Sequence, residues 1–159
     1  MILQPFKYVA ADSLETVEAL LREYGERAAL IAGGSDLLGA LKDAVHGTSA
    51  GVSGRQAADG PPDAGRDGYP ELVVSLKPLQ SLRYVRVDPS DAHTGARIGG
   101  LTTLAEIAGH SVLRARYPLL VQAARSVASP QIRKVAAIAG NLCQEPRCWY
   151  YRYPENGFH

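Results

Sequence analysis

Ala28-Ala29-Leu30-Ile31-Ala32-Gly33-Gly34-Ser35-Asp36-Leu37-Leu38 is the stretch on which the reading of this chain turns. Its apolar start between glycines suits a short buried strand, and Leu37, Leu38, Leu41 and Val45 then recur at helical spacing. Two residues without Cβ stand at the junction. Glycine there lets the backbone approach a bulky anion, toward which the N–H groups of the helix start would point. Ser35 adds a hydroxyl donor, whereas Asp36 suits an N-cap or a sugar hydroxyl better than a phosphate. From these residues alone a plain strand-to-helix turn without a ligand is the more common reading, because glycine is the default residue of tight turns.

Working outward, Phe6–Ala10 reads as an extended stretch. Asp12 with Glu15 has the spacing of a capping box, ahead of Leu14, Val17, Leu20, Leu21 and Tyr24, and Gly25 closes that helix. From His46 to Tyr69 the apolar periodicity stops and Gly, Pro, Ser and Asp dominate, which is expected of a surface insertion. Glu71–Leu76 reads as a strand. In Leu82–Val87, Val85 and Val87 face one way and Tyr84 and Arg86 the other, with Asp88-Pro89 as the stop. Arg97–Leu101 gives another strand, and Thr103 with Glu106 a second capping box before Leu104 and Ile107. Pro118 opens a further helix, and Val135–Asn141 reads as a strand running into a second glycine loop, Ala139-Gly140-Asn141.

Composition narrows the function classes. The chain has 159 residues, enough for one core, and 46% are hydrophobic. A formal charge of +1 with no long basic cluster argues against a nucleic-acid footprint. No stretch approaches the roughly 20 apolar residues of a membrane span, and the first residues lack a signal-peptide pattern, so a cytoplasmic address is expected. The G-x-G-x-x-G spacing of the dinucleotide-binding βαβ unit is absent. No residue stands out as a general acid or nucleophile; His46, His93 and His110 have no catalytic pairing. Cys143 and Cys148 fit a local disulfide, plain thiols or part of a metal site, although two thiols alone do not complete one.

Three motifs in order carry a more specific signal: Ile31–Leu38, Ile98-Gly99-Gly100-Leu101-Thr102-Thr103-Leu104, and Val127–Arg133 followed by Ile138–Leu142. Together they resemble the FAD-binding medium subunit of the molybdenum hydroxylases, the xanthine dehydrogenase, carbon monoxide dehydrogenase and 4-hydroxybenzoyl-CoA reductase group. The resemblance implies an α+β, two-subdomain FAD-binding fold of the PCMH/vanillyl-alcohol-oxidase type, with the C-terminal part missing. It implies a first FAD-binding subdomain at 1–45, an insertion at 46–70, a second subdomain at 71–142, and the start of a cysteine-containing insertion at 143–159.

By the same resemblance, Leu30, Ile31, Ala32, Gly33, Gly34, Ser35, Asp36 and Leu37 hold the FAD diphosphate. Thr102 or Thr103 lies near the dinucleotide and Val127 near the flavin or adenine. Ala137, Ile138, Ala139, Gly140 and Asn141 wrap the diphosphate from the other side. The family usually has a glycine where this chain has Ala139, so a methyl is expected to crowd the phosphate. Cys148, and less clearly Cys143, resemble ligands of an extra [4Fe-4S] cluster whose other cysteines lie downstream. The implied partners are a large subunit with the molybdenum cofactor and a small [2Fe-2S] subunit. The implied role is electron relay between the partner's iron–sulfur centres and an external acceptor or donor. The alternative is a truncated remnant or assembly module that keeps the fold without flavin.

Overall fold

The computed structural model describes Leu3 and residues 5–42, 69–87 and 95–144. Val45, nearly all of the expected insertion, Asp88-Pro89 and Cys148 lie outside the described residues.

Strands β1 (Lys7–Ala10), β2 (Ala28–Ile31) and β3 (Leu72–Ser75) form a parallel sheet in the order β1-β3-β2. Lys7 and Ala28 both pair with Leu72, and the register continues to Ala10, Ser75 and Ile31. The third strand in sequence is the middle one, and all four of its residues are buried. A central parallel strand covered on both faces reads as an unbroken apolar run, as Leu72-Val73-Val74 does. The division expected at residue 71 is therefore not followed by the sheet. Leu72–Ser75 belongs with the strands of the first 45 residues, because it supplies the ladder partners of both β1 and β2.

Helix α1 (Leu14–Tyr24) covers one face of that sheet. Val17 is buried, and Leu20, Leu21 and Tyr24 pack onto Leu72, Val74 and Ala28. Its N-cap is Ser13 rather than the expected Asp12. The Ser13 hydroxyl accepts from Thr16 N at 3.1 Å, while Asp12 Oδ1 accepts from the Thr16 hydroxyl. Both residue types cap well, and the extended backbone of Ser13 (φ −143°, ψ 161°) decides between them. Gly25, at φ 54°, ends the helix in the left-handed region, as expected.

A second core gathers around α3 (Leu104–Gly109), α4 (Ser111–Arg116), α5 (Pro118–Ser126) and α6 (Pro130–Val135). Leu104, Ile107, Leu113, Val121 and Ala124 are buried there, each of the larger side chains contributing about 1.5–3 kcal/mol. The antiparallel pair β4 (Val85–Arg86) and β5 (Arg97–Ile98) lies against it through Val85, Val87 and Ile98. The alternation read from sequence holds: Arg86 stays outside, 4.6 Å from the Tyr84 ring. Neither α4 nor α6 was expected.

The two cores meet along one strip. Leu101 and Ala137 belong to the sheet core, whereas Leu104 and Ala136 belong to the helical one. Leu104 N donates to Ala136 O at 3.0 Å and Ile138 N to Thr102 O at 2.9 Å, so the strip is bonded from both sides.

Candidate functional site

The carboxyl end of β2 delivers the chain into Ala32-Gly33-Gly34, and α2 (Leu37–Lys42) follows. The turn is fixed by Leu76 N donating to Ile31 O and Leu38 N to Gly34 O. Gly34 has φ 74°, a left-handed conformation that disfavours any side chain. Gly33 is needed for a different reason. A Cβ there would overlap the Val135 carbonyl oxygen and lie 2.8 Å from Val135 C and 3.0 Å from Ala136 Cα. The close neighbour of the first glycine is therefore the backbone that leads into the second motif. Ser35 is exposed, and Asp36 accepts from Ala40 N through its carbonyl.

That second motif is not the strand-and-loop expected. Val135 ends α6, Ala136 and Ala137 are extended, and Ile138–Leu142 is a short helix, α7. Alanine-rich sequence has high helix propensity, and a stretch of seven residues is too short for periodicity to separate strand from helix. Ala137 is the N-cap residue and bridges Thr103 in antiparallel fashion. Ala139 N donates to Gly100 O, and a Cβ on Gly100 would sit 3.2 Å from that of Ala139. The Ala139 methyl is thus turned toward Gly100, which has no side chain to oppose it. Gly140 is exposed with nothing within 4 Å of a built Cβ, and Asn141 N donates to Ala137 O.

The paired threonines separate into two roles. The Thr102 hydroxyl is buried, donating to Tyr84 O at 2.8 Å and accepting from Tyr84 N at 3.1 Å, so it is committed to the fold. Thr103 forms the expected capping box: its hydroxyl accepts from Glu106 N, and the Glu106 carboxylate accepts from Thr103 N at 2.8 Å. Arg83 grips the same carboxylate with Nε at 2.9 and 3.1 Å and Nη2 at 2.8 Å. Partial burial pushes the Glu106 carboxyl up, but the Arg83 hydrogen bond and the Thr103 N–H outweigh it and hold the group below the usual range. The Arg83 guanidinium is raised by its bond to Glu106. Val127 is the C-cap of α5, and its carbonyl accepts from Arg133 Nη1 at 2.7 Å, beside Ala128 at φ 42°.

A cavity of about 310 Å³ opens where the Gly33 turn meets the Ala137 strip. Of the expected residues, Ala32, Gly33, Thr103 and Ala137 line it. Thr102 instead lines a neighbouring hollow of about 460 Å³ with Glu106 and His110. Sequence reasoning missed Lys77, from the loop after β3, Arg83, and Lys134, from the last turn of α6. Three cationic residues therefore line the cavity with no carboxylate among its lining. Arg83 is neutralised by Glu106, whereas neither lysine has a carboxylate within ion-pair distance among the described residues. No local pattern marks these lysines in sequence, since only the fold brings positions 77 and 134 together.

Cys143 caps α7 as a free, exposed thiol, and among the described residues no three His, Cys, Asp or Glu side chains gather as a metal site. His110 accepts from Leu113 N through Nδ1 and so caps α4. No helix among the described residues is long and apolar enough to cross a membrane.

Comparison with known proteins gives a consistent result. A family model, the FAD binding domain in molybdopterin dehydrogenase, matches residues 64–147. The nicotinate dehydrogenase FAD-subunit of Eubacterium barkeri is 32% identical over 141 residues, 88% of this chain and 39% of that protein. The carbon monoxide dehydrogenase medium chain of Hydrogenophaga pseudoflava is 29% identical over 89% of this chain and 40% of its own length. The solved carbon monoxide dehydrogenase of that organism superposes with a TM-score of 0.68 at 29% identity, covering 89% of this chain and 40% of that one. The α+β FAD-binding fold expected from sequence is therefore the fold observed, and the chain spans about 40% of the length of these relatives.

Proposed function

Because the chain belongs to the family of FAD-binding domains of molybdopterin dehydrogenases, we propose that it forms one wall of an FAD site in an electron-transfer subunit of a molybdenum-containing oxidoreductase. The observation that carries this reading is the cavity at the meeting of the Gly33 turn and the Ala137 strip, lined by cations and by no carboxylate.

The residues fit the group. The lining offers positive charge and the Thr103 hydroxyl beside apolar Leu101, Val135 and Ala137, a mixture suited to a phosphate next to less polar ligand parts. Its volume is at the lower end of the roughly 300–1,000 Å³ of small-molecule sites, so it takes a portion of the dinucleotide. When bound, FAD supplies the redox chemistry, and the protein supplies binding, orientation and electrostatics. In this reading Ala32, Gly33, Thr103 and Ala137 shape the phosphate portion, and Glu106 holds Arg83 and Thr103 in place. Gly34, Ser35, Asp36 and the first residues of α7 flank it.

The finer parts of the proposal concern the assembly. Electrons would pass through the flavin between iron–sulfur centres of a partner and an external acceptor or donor. The partners would be a small [2Fe-2S] subunit and a large subunit with the molybdenum cofactor, in the cytoplasm. The multi-subunit relatives support this reading. Nothing in the comparisons favours a flavin-free remnant.

Titrating the purified chain into FAD and following flavin fluorescence tests the core of the proposal. Saturable quenching is expected, and unchanged fluorescence at high protein concentration would overturn it. Co-expression with neighbouring genes, followed by assay of flavin, iron and molybdenum in the co-purified complex, tests the partners.

A further inference from the structure

We propose that Lys77 and Lys134 are the charge-recognition pair of this site, selecting a ligand with two adjacent phosphates, and that Arg83 takes no part in that selection. The inference rests on the flavin reading and names the groups that would read the cofactor's diphosphate.

The lysines reach the cavity from different parts of the fold. Lys77 follows the central strand β3, in a turn held by Gln80 Nε2 donating to Lys77 O at 3.0 Å and by Lys77 N donating to the Ser75 hydroxyl. Lys134 sits in the last turn of α6, immediately before the Val135–Ala136 backbone that abuts Gly33. The cavity is thus lined by one lysine carried next to the sheet core and one carried by a helix of the helical core, each ammonium having three N–H donors. Two lysines line one cavity whose lining holds no carboxylate, so an anion bound there is attracted by both. A single phosphate would engage the pair less completely than two linked ones.

Arg83 lines the same cavity but is committed. Its Nε and Nη2 both bond the Glu106 carboxylate, which is itself fixed by Thr103. The pair is close to neutral and offers an anion little net charge. The chain's formal charge of +1 supplies no general field either, so a positive potential at this cavity is a local property of the two lysines.

Isothermal titration of the full chain with ADP, inorganic pyrophosphate and AMP, at low and at physiological salt, tests this. Wild type is expected to bind ADP and pyrophosphate more tightly than AMP, with affinity falling as salt rises. Lys77→Gln and Lys134→Gln should each weaken ADP binding roughly tenfold, and the double variant should lose most of its salt dependence. Lys77→Arg and Lys134→Arg should retain the affinity. Both lysines are exposed and paired with no carboxylate among the described residues, so the variants keep the fold, as a melting curve would confirm. ADP binding that is equally tight in the double variant would overturn the proposal, as would a chain that binds FAD but neither ADP nor pyrophosphate. Lysine-dependent ADP binding without any FAD binding would instead uphold it and remove the flavin reading.

Discussion

Replacing Gly33 by alanine tests the central geometric claim, that the first glycine turn is pressed against the backbone leading into the second motif. The added methyl would overlap the Val135 carbonyl oxygen and lie 2.8 Å from Val135 C and 3.0 Å from Ala136 Cα. Every one of those atoms is main chain, and Leu104 N already holds Ala136 O at 3.0 Å, so the neighbour cannot rotate away. Overpacking costs about 1–3 kcal/mol, and with a backbone neighbour the upper end, about 3 kcal/mol, is expected. For a chain of this size that lowers Tm by roughly 6–12 °C. Differential scanning calorimetry or thermal unfolding by circular dichroism measures it directly. Gly140→Ala is the control: it lies inside α7 with open space around it, and alanine there should raise stability by about 0.5–1 kcal/mol. A Gly33→Ala variant melting within about 2 °C of wild type would refute the contact, and with it the cavity at that junction.

Three other perturbations probe the surrounding framework. Thr102→Val keeps the shape but leaves Tyr84 N–H without its acceptor at a buried position, and should cost about 1–3 kcal/mol by chemical denaturation, while Thr102→Ser stays near wild type. Glu106→Gln probes pH dependence. The Glu106 carboxyl is held low in the folded chain, so its stabilisation is present above the ordinary carboxylate range and is lost as pH falls through the folded value. The wild-type advantage over Glu106→Gln in Tm should therefore be present at neutral pH and vanish in acid. Ala128, exposed at φ 42°, should accept glycine with a gain of about 0.5–1 kcal/mol in the same denaturation assay.

Sequence made the elements legible where a local signal existed. The apolar run ending in Gly33-Gly34, the Thr103–Glu106 capping box, the alternation around Val85 and the Pro118 helix start all depend on residues within a few positions of each other. Features set by distant partners were not legible. The place of Leu72–Ser75 between β1 and β2 is a matter of strand order, and nothing in Leu72-Val73-Val74 states which strands will flank it. Helices α4 and α6 have six residues each, too few to display a periodicity. Val135–Asn141 reads as a strand because most of its residues are small and apolar, which a short helix satisfies equally well. At the site, Ala32, Gly33, Thr103 and Ala137 were recognisable from motifs, whereas Lys77 and Lys134 are ordinary lysines until the fold brings them to one cavity.

The strip from Val135 to Ile138 also has a consequence for how the molecule opens. Adjacent residues Ala136 and Ala137 are each 5% exposed, in different cores, and the amides of Leu104 and Ile138 are tied across them. Withdrawing either core from the strip strips contacts from the other, so partial opening gains little chain entropy for the burial it sacrifices. Amide hydrogen exchange at Leu104, Ile138 and Ala139 should therefore proceed only through whole-domain unfolding, with the protection of the β3 amides. The sheet and the helical cluster, although built around separate sets of side chains, would form one cooperative folding unit riveted by two alanines.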